Sequence, residues 1–165
     1  MSNKRIVASY FVARDYIPII VVAFEGSRRG SLNLFVYVLA ANNTEDYNVM
    51  PTQNIIFLHG FLASSSFWTE TVFLNLSESA KCNYRLFAVD LLGFGRSPKP
   101  NNCMYTLRDH VERIKNSVVR PFQLNSFHLV AHSMGCIIAL ALAAKYPNAV
   151  KSITLIAPVS TYNVD

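Results

Sequence analysis

The stretch FHLVAHSMGCIIALALAAKY, residues 127–146, decides the fold of this chain. Its first six residues form a short apolar run, which is typical of a strand buried on both faces of a parallel sheet. Ser133 follows this run directly, and a second apolar stretch of helical length follows the serine. A strand that passes into a helix at one residue needs a sharp turn with small neighbours, and both Ala131 and Gly135 are small. The stretch therefore predicts a strand-to-helix elbow with Ser133 at its tip.

Three other segments have the same continuous apolar character. They are NIIFLHG (54–60), RLFAVD (85–90) and SITLIAP (152–158). Runs of this length predict strands that are buried on both faces, as in a parallel sheet. The expected parallel strands lie near 54–58, 85–89, 127–131 and 152–157.

The segments between these strands have helical patterns, and the expected helices cover 65–80, 106–120 and 134–146. Thr106 and Asp109 have the spacing of a capping box. The last helix is apolar on all sides, so we expect it to be buried, and Pro147 ends it. The alternation of strand and helix predicts right-handed crossovers and a mostly parallel sheet in an α/β fold.

The pattern before residue 54 is less regular. The segments IPIIVVAFE (17–25) and SLNLFVYVLA (31–40) could be two strands of a hairpin joined by GSRRG (26–30). The first segment could equally be the end of an N-terminal helix. We therefore divide the chain into an N-terminal segment of uncertain structure, 1–30, and a domain over 31–165.

The composition is that of a folded domain, because 52% of the 165 residues are hydrophobic and only 15% are charged. The net charge of +5 is concentrated in residues 1–31, which carry five basic and two acidic side chains. A nucleic-acid surface needs a denser basic face with aromatic residues interleaved, so we expect no nucleic-acid partner. Weak contact with an anionic membrane surface is the minor alternative.

Residues 6–24 are apolar enough to raise the question of a membrane span. Arg14 and Asp15 interrupt their middle, and each would cost about 2.5–3.5 kcal/mol at the centre of a bilayer. We therefore expect no transmembrane span. Residues 1–5 and 6–13 could instead be the charged and apolar parts of a signal peptide, although the apolar part has the minimum length.

The three cysteines, Cys82, Cys103 and Cys136, are odd in number and are not spaced as metal ligands. Cys82 and Cys103 flank a strand that spans roughly 20 Å, whereas disulfide-bonded Cα atoms lie within about 7 Å. We therefore expect no disulfide between them. The sequence implies neither a metal nor an organic cofactor, and the cysteines leave the cellular compartment open.

The elbow has the residue types that a nucleophilic serine needs. Nucleophile elbows usually read G-x-S-x-G, and in Ala131-His132-Ser133-Met134-Gly135 an alanine replaces the first glycine. The helix that follows places its N-terminus, which favours a developing negative charge, at Ser133. The same five residues also fit an ordinary strand, turn and helix whose cap is a serine.

The motif LHGF (58–61) favours the catalytic interpretation. In serine hydrolases of this kind one oxyanion donor is the backbone N–H after the nucleophile, here that of Met134. The other donor comes from the loop after an early strand of the sheet, and Phe61 is the natural candidate. We expect His59 and Gly60 to shape this turn. An ordinary tight turn at the end of the strand is the alternative.

The segment DLLGFGRSPKP (90–100) is the third motif. Gly93 and Gly95 could belong to a phosphate loop, but Pro98 stands where the third glycine would be. We interpret the segment, which begins with Asp90, as a loop over the carboxyl edge of the sheet, where ligands bind in α/β folds.

In this order HGF (59–61), DLLGFGRS (90–97) and AHSMG (131–135) resemble the α/β-hydrolase family, and the resemblance runs from about residue 31 to residue 158. It implies a three-layer α/β-hydrolase fold with a mostly parallel sheet, truncated here after the sixth strand of that fold. It also implies that Ser133 is the nucleophile.

The sequence resembles one branch of the family still more closely, the plant BODYGUARD proteins. The segments that carry this likeness are 58–73, 84–100, 105–114 and 127–147. Proteins of that branch are tied to cuticle formation in the epidermal wall and are described as lysophospholipase-like. The resemblance therefore implies a hydrolase of carboxylic esters, of the lipid or cutin-precursor class, in the extracellular space or cell wall.

The family's order of catalytic residues is serine, acid, histidine. No histidine follows Ser133, and Asp165 is the only acid that does. The four histidines have other expected places: His59 in the oxyanion turn, His110 on a helix, His128 on the incoming strand and His132 inside the elbow. The acid and histidine of the triad are thus absent from these 165 residues, and we expect this chain alone to be inactive.

Two other functions stay open. The chain could be a non-catalytic truncated product or binding module, or it could be an acyltransferase, because fold does not fix chemistry. The expected partner is a small-molecule or lipid ester. An apolar last strand, 152–157, at the edge of an incomplete sheet should also make the chain an oligomer or aggregate when it is expressed alone.

Overall fold

The computed structural model describes the backbone of residues 7–12 and 18–23, and residues 33–40 and 53–159 with their side chains. The expected linker 26–30 and Asp165 therefore lie outside the described residues. The described part contains seven strands, of which two form a separate pair and five form the main sheet.

The strands follow one another as β1 (Val7–Val12), β2 (Pro18–Ala23), β3 (Val36–Leu39), β4 (Gln53–Leu58), β5 (Tyr84–Val89), β6 (Phe127–His132) and β7 (Val150–Ile156). The order in the main sheet is β3-β5-β4-β6-β7. β4 pairs parallel with both β5 and β6, and β6 pairs parallel with β7. The prediction of four parallel strands is confirmed, and the observed architecture is an α/β fold with a mostly parallel sheet, as predicted.

The N-terminal part differs from both alternatives that the sequence left open. Residues 18–23 form a strand, so the prediction of an N-terminal helix end is wrong. The hydrogen-bonded partner of β2 is β1, with Val12 opposite Pro18, and not the strand at 36–39 as in the expected hairpin. β3 pairs antiparallel with β5 instead, with Val36 opposite Val89.

The helices are shorter than the sequence predicted. They are α1 (Ser66–Thr69), α2 (Glu78–Asn83), α3 (Leu107–Ile114) and α4 (Met134–Lys145). A 3₁₀ turn at Phe73–Asn75 follows α1, and a π-helical turn at Lys115–Val119 continues α3. The prediction for α3 is confirmed at its start, where Thr106 and Asp109 form a complete capping box.

The single helix predicted over 65–80 is wrong, because polar side chains in this segment bond to the backbone. The Asn75 side chain donates to the Thr71 carbonyl at 2.6 Å, and Thr71 itself bonds to the Phe67 carbonyl. Such bonds compete with a continuous helix. Ser77 then starts α2 as its cap, accepting from the Ala80 N–H at 3.2 Å.

Hydrophobic layers cover both faces of the sheet. On one face β4 and β5 pack against α1 and the 3₁₀ turn, and the buried residues there are Leu39, Phe57, Trp68, Phe73, Leu86 and Ala88. The opposite face packs against α3 and α4. Alternate residues of β4 and β6 enter the two layers, as the pleat requires.

β7 and the outer side of α4 are covered less than the sequence predicted. Most of β7 is exposed, including Leu155 and Ile156, and it is the outermost strand of the described sheet. On α4, Ile137 is 43% and Leu140 51% exposed. The prediction that α4 is buried on all sides is therefore wrong for the described residues, which bury only the side that faces the sheet.

We expect the 165-residue chain, expressed alone, to be largely insoluble or oligomeric, because β7 offers an unpaired apolar edge. Leu155→Lys places a charge on that strand and should raise the yield of small, soluble species several-fold. Leu74→Lys replaces an apolar side chain that is 71% exposed but lies in the 3₁₀ turn, and it should have little effect. Size-exclusion chromatography with light scattering measures both, and a monodisperse, cooperatively melting monomer of the unchanged chain would contradict the expectation.

Candidate active site

Ser133 lies at the turn between β6 and α4 with backbone angles of φ 50° and ψ −119°. A positive φ is costly for a residue with a side chain and persists where the surrounding structure enforces it. The Ser133 N–H donates to the Ile156 carbonyl at 3.0 Å, and its carbonyl accepts from the Cys136 N–H at 2.9 Å. The predicted strained elbow is therefore confirmed, and β7 helps to hold it.

Gly135 allows α4 to approach the end of β4 closely. A Cβ at this position would lie 2.7 Å from the carbonyl oxygens of Leu58 and His59, a distance at which backbone would have to move. Ala131, on the other side of Ser133, is fully buried. The two small residues of the motif thus allow close packing on both sides of Ser133.

The elbow and the LHGF turn are in contact. A Cβ on Gly60 would lie 2.9 Å from Nδ1 of His132 and 3.0 Å from Cβ of Ser133. The backbone of residue 60 therefore passes directly over the elbow. Met134 is the first residue of α4, so its N–H has no partner within the helix. The structure brings the predicted donor segments together at Ser133, and the oxyanion roles of Phe61 and Met134 stay predictions.

His59 is completely buried and uses both ring nitrogens. Its Nδ1–H donates to the Gly60 carbonyl at 2.7 Å, and its Nε2 accepts from the Leu91 N–H at 3.0 Å. Burial lowers the pKa of His59, and smaller contributions from the bond to Gly60 and from the charge of Asp90 oppose this. His59 therefore joins the turn after β4 to the loop after β5 and has no free nitrogen for Ser133.

Asp90 makes a second connection between the same two loops. Its carboxylate accepts from the Ser65 N–H at 2.5 Å and from the Arg96 N–H at 2.7 Å, and the side chain is buried. Gly95, with φ 51°, leaves the space that this carboxylate occupies. The predicted supporting position of Asp90 thus corresponds to two hydrogen bonds, one to each loop.

Two residues of this region escaped the sequence prediction. The ring of Phe94 lies 5.6 Å from the ring of His59 and 5.7 Å from that of Phe61, between centroids, so it packs against both. Ser97 donates to the Asp90 carbonyl at 2.5 Å and accepts from the Phe35 N–H at 2.9 Å. Both belong to the loop motif 90–100, but nothing in the sequence indicates which of its side chains point inward.

The other three histidines form no hydrogen bond with Ser133 in the described structure. The His132 ring stacks on Phe67 with centroids 4.8 Å apart, and its Nδ1 is buried without a partner among the described residues. His110 is buried on α3, also with an unpartnered Nδ1 there, and burial lowers its pKa. His128 bonds to Gln53 and Ser152. In the part of the chain that the structure describes, no hydrogen bond joins a histidine to Ser133.

Backbone strain is concentrated at the carboxyl edge of the sheet. Among the described residues, five non-glycine residues have a positive φ. Four of them, Leu62, Tyr105, Ser133 and Ala157, lie in the connections that leave β4, β5, β6 and β7. Strained residues cluster where structure serves function, and this edge is where ligands bind in α/β folds. The candidate active site therefore lies here.

Residues 33–40 and 53–159 contain no group of three or more histidine, cysteine, aspartate or glutamate side chains placed to hold a metal ion. Within the described part of the chain, no helix has the length and hydropathy required to cross a membrane.

Comparison with known proteins places this arrangement among relatives. A family model described as alpha/beta hydrolase fold matches residues 53–164. "Probable lysophospholipase BODYGUARD 1" of Arabidopsis thaliana is 64% identical over 106 residues, which are 64% of this chain and 23% of that protein. The human "1-acylglycerol-3-phosphate O-acyltransferase ABHD5" is 29% identical over 119 residues, which are 68% of this chain and 31% of that protein.

Solved structures share the fold. The structure described as "Marine microorganism esterase" superposes with a TM-score of 0.59 at 22% identity, over 76% of this chain and 41% of that one. The resemblance predicted from the three motifs is confirmed. The chain spans 23% and 24% of the lengths of two BODYGUARD proteins, BODYGUARD 1 and BODYGUARD 2, and 31% of the length of ABHD5.

The hydrogen bonds of Asp90 give a first prediction for the site. Asp90→Asn keeps the size of the side chain but replaces one acceptor oxygen with an NH₂ group that faces a backbone N–H. The free energy of unfolding should fall by roughly 1–3 kcal/mol. Urea unfolding can be followed by the emission of Trp68, the single tryptophan and fully buried, in soluble Leu155→Lys protein. Glu70→Gln removes an exposed carboxylate as the control, and an equal loss in both variants would contradict the role of Asp90.

The two buried histidines give a second prediction. Because the pKa values of His59 and His110 are lowered from 6.5 in the folded chain, the unfolded chain binds more protons below about pH 6.5. Stability should therefore be present at pH 7.5 and decline as the pH falls to 5.5. His110→Leu removes one of these groups and should reduce the difference between the urea midpoints at the two pH values. Besides burial, the charge of Asp109 raises the pKa of His110 and that of His59 lowers it. An unchanged difference between the midpoints would contradict the lowered pKa of His110.

Proposed function

The chain belongs to the α/β-hydrolase fold family, and from that premise we propose that it carries the nucleophile and oxyanion donors of a serine hydrolase of carboxylic esters. The observation that carries the proposal is the backbone of Ser133. Its positive φ at the start of α4 lifts the side chain at a helix N-terminus, directly beside the turn at Gly60. This strain has a clear use if the hydroxyl must reach a bound substrate.

In the proposed reaction the Ser133 Oγ attacks the carbonyl carbon of the ester. Negative charge develops on the carbonyl oxygen, and the N–H groups of Phe61 and Met134 stabilise it. Backbone donors of this kind need no reorganisation when the surrounding structure holds them in place, and the contacts of His59 and Phe94 fix the turn that contains Phe61. Removing one donor of this kind typically costs about 10²–10³ in kcat.

The proton of Ser133 needs a base, and the described histidines do not supply one. His59 has both nitrogens engaged, and His128 is bonded at the other end of β6. In the family's order the acid and the histidine follow the nucleophile, and no histidine follows Ser133 in these 165 residues. We therefore propose that residues outside this chain complete the triad in a working enzyme.

The substrate class follows from the surroundings of the elbow and from the relatives. Phe61, Leu62 and Met104 lie in the loops at the carboxyl edge and are 66%, 82% and 86% exposed. Large apolar side chains at the same edge of the sheet as a nucleophile suit an acyl chain or a similar apolar group. The BODYGUARD relatives are named probable lysophospholipases, and we propose an ester of the lipid or cutin-precursor class.

An acyltransferase is the second candidate function. The observation in its favour is the 29% identity with ABHD5, which is named a 1-acylglycerol-3-phosphate O-acyltransferase. The same elbow could pass an acyl group from Ser133 to an alcohol instead of water. Product analysis in the presence of a lysophospholipid acceptor separates the two: transfer forms a new ester, and hydrolysis releases only the acid.

We expect negligible Ser133-dependent turnover of a short-chain p-nitrophenyl ester by the 165-residue chain. An oxyanion hole without a triad retains about 10³–10⁴-fold over water, and complete enzymes reach roughly 10⁶-fold or more, so the shortfall should be at least about a hundredfold. Continuing this chain with the part of BODYGUARD 1 that follows the matched region should restore turnover.

The controls for this experiment are two serine variants of the continued chain. Ser133→Ala should abolish its turnover, whereas Ser66→Ala, at an exposed serine of α1, should leave it unchanged. Brisk hydrolysis by the 165-residue chain that is lost in Ser133→Ala would contradict the proposal that the base lies outside it. A continued chain that is folded but inactive would favour a non-catalytic protein.

A further inference from the structure

A row of three hydrogen-bonded side chains crosses the sheet at the opposite end from the elbow. The Ser152 hydroxyl lies 2.7 Å from Nδ1 of His128, and Nε2 of the same ring lies 3.1 Å from Oε1 of Gln53. Among the described residues, Ser152 is the serine whose hydroxyl forms a hydrogen bond with a histidine ring. A hydroxyl within reach of a base that a third group orients is the diagnostic arrangement of an activated nucleophile.

The orientation of the Gln53 amide sets where the proton lies on the His128 ring. With Oε1 facing the ring, the carbonyl oxygen of Gln53 accepts the proton of Nε2. Nδ1 is then left with its lone pair, and the Ser152 hydroxyl donates to it. This is the tautomer that a general base needs, and a neutral amide oxygen holds it where a serine protease uses a carboxylate.

The parallel ladders set this geometry. β6 and β7 pair His128 directly with Ser152, and β4 pairs Ile55 with His128, which places Gln53 two residues away on the same face. Side chains at such positions lie within reach of one another. His128 precedes Ser133 by five residues of strand, about 16 Å, so the row is separate from the candidate active site.

The row is open to small molecules. Ser152 is exposed. A cavity of about 340 Å³ lies beside the other two members of the row and is lined by Gln53, Asn54, Ser126, His128 and Lys151. Asn54 is already used, since its side chain donates to the Ser126 carbonyl at 3.1 Å. The cavity therefore offers space next to the base and one cationic side chain at its border.

We propose that Ser152 is a second nucleophilic serine, which takes an acyl group from small activated esters. The Ser152 Oγ forms a bond to the carbonyl carbon while its proton passes to Nδ1 of His128. The bond from the carbonyl carbon to a phenolate leaving group breaks, and His128 returns the proton to that phenolate. The products are O-acyl Ser152 and the free phenol. Because Gln53 is neutral, the imidazolium is less stabilised than in a triad, so one acylation without rapid turnover is expected.

The test uses p-nitrophenyl acetate with the 165-residue chain carrying Leu155→Lys, whose side chain lies on the other face of β7 from Ser152. The release of p-nitrophenol should show a burst that approaches one equivalent, and peptide mapping should find the acetyl group on Ser152. Ser152→Ala should abolish the burst. His128→Gln should slow it by about 10²-fold, the lower end of the contribution of a general base.

Two further variants keep the result interpretable if Ser152→Ala or His128→Gln fails to fold, as Trp68 emission would reveal. Gln53→Glu places a carboxylate on the Nε2–H of His128 and should speed the burst at least about tenfold. Ser79→Ala, at an exposed serine of α2, should leave it unchanged. A burst insensitive to both Gln53→Glu and His128→Gln, or acetylation confined to Lys151 or Ser133, would overturn the proposal. Acetylation of Ser133 alone would overturn the proposal for Ser152 but would leave the proposed hydrolase function of Ser133 intact. Acetylation of Ser152 would not contradict that hydrolase function.

Discussion

The close approach of α4 to the end of β4 is the constraint on which the candidate site depends. At Gly135 a single methyl group would meet two backbone carbonyl oxygens at 2.7 Å. The first turn of α4 can lie against residues 58 and 59 only because residue 135 has no side chain. The approach sets where α4 begins, and so it sets where Ser133 must turn. The positive φ of Ser133 is the local cost of a packing contact that the rest of the sheet maintains.

The loops around the elbow are held by buried polar groups. His59 and Asp90 each connect the turn after β4 to the loop after β5, and the bonded atoms are backbone amides and carbonyls. Buried polar groups of this kind are costly when they lose a partner, so each loop is stable only in the presence of the other. The residues of two separate motifs thus act as one unit, although about thirty positions separate them along the chain.

Much of this could be predicted from the sequence, because the relevant signals are local. Continuous apolar runs identified the four parallel strands, and the small residues at 131 and 135 identified the elbow. The helix predicted over 65–80 failed, since its apolar residues suggested a helix while Thr71, Asn75 and Ser77 bonded to the backbone. The contacts of Phe94 and the row from Gln53 to Ser152 join residues that are far apart in sequence. Local patterns contain no information about which distant side chains will meet.

The hydrogen bond from the Ser133 N–H to the Ile156 carbonyl has a consequence for the order of synthesis. The five residues of the elbow motif have all been synthesised once the chain reaches position 135. The carbonyl that accepts the hydrogen bond from Ser133 belongs to Ile156, 23 positions after Ser133. At about 5–20 residues per second, a ribosome needs roughly 1–5 s to add those residues. During that interval the nascent chain has the elbow sequence without the strand that fixes its shape. The elbow therefore becomes rigid only when β7 has emerged and joined the sheet, and a pause in translation just before β7 would prolong the time for which it stays unformed.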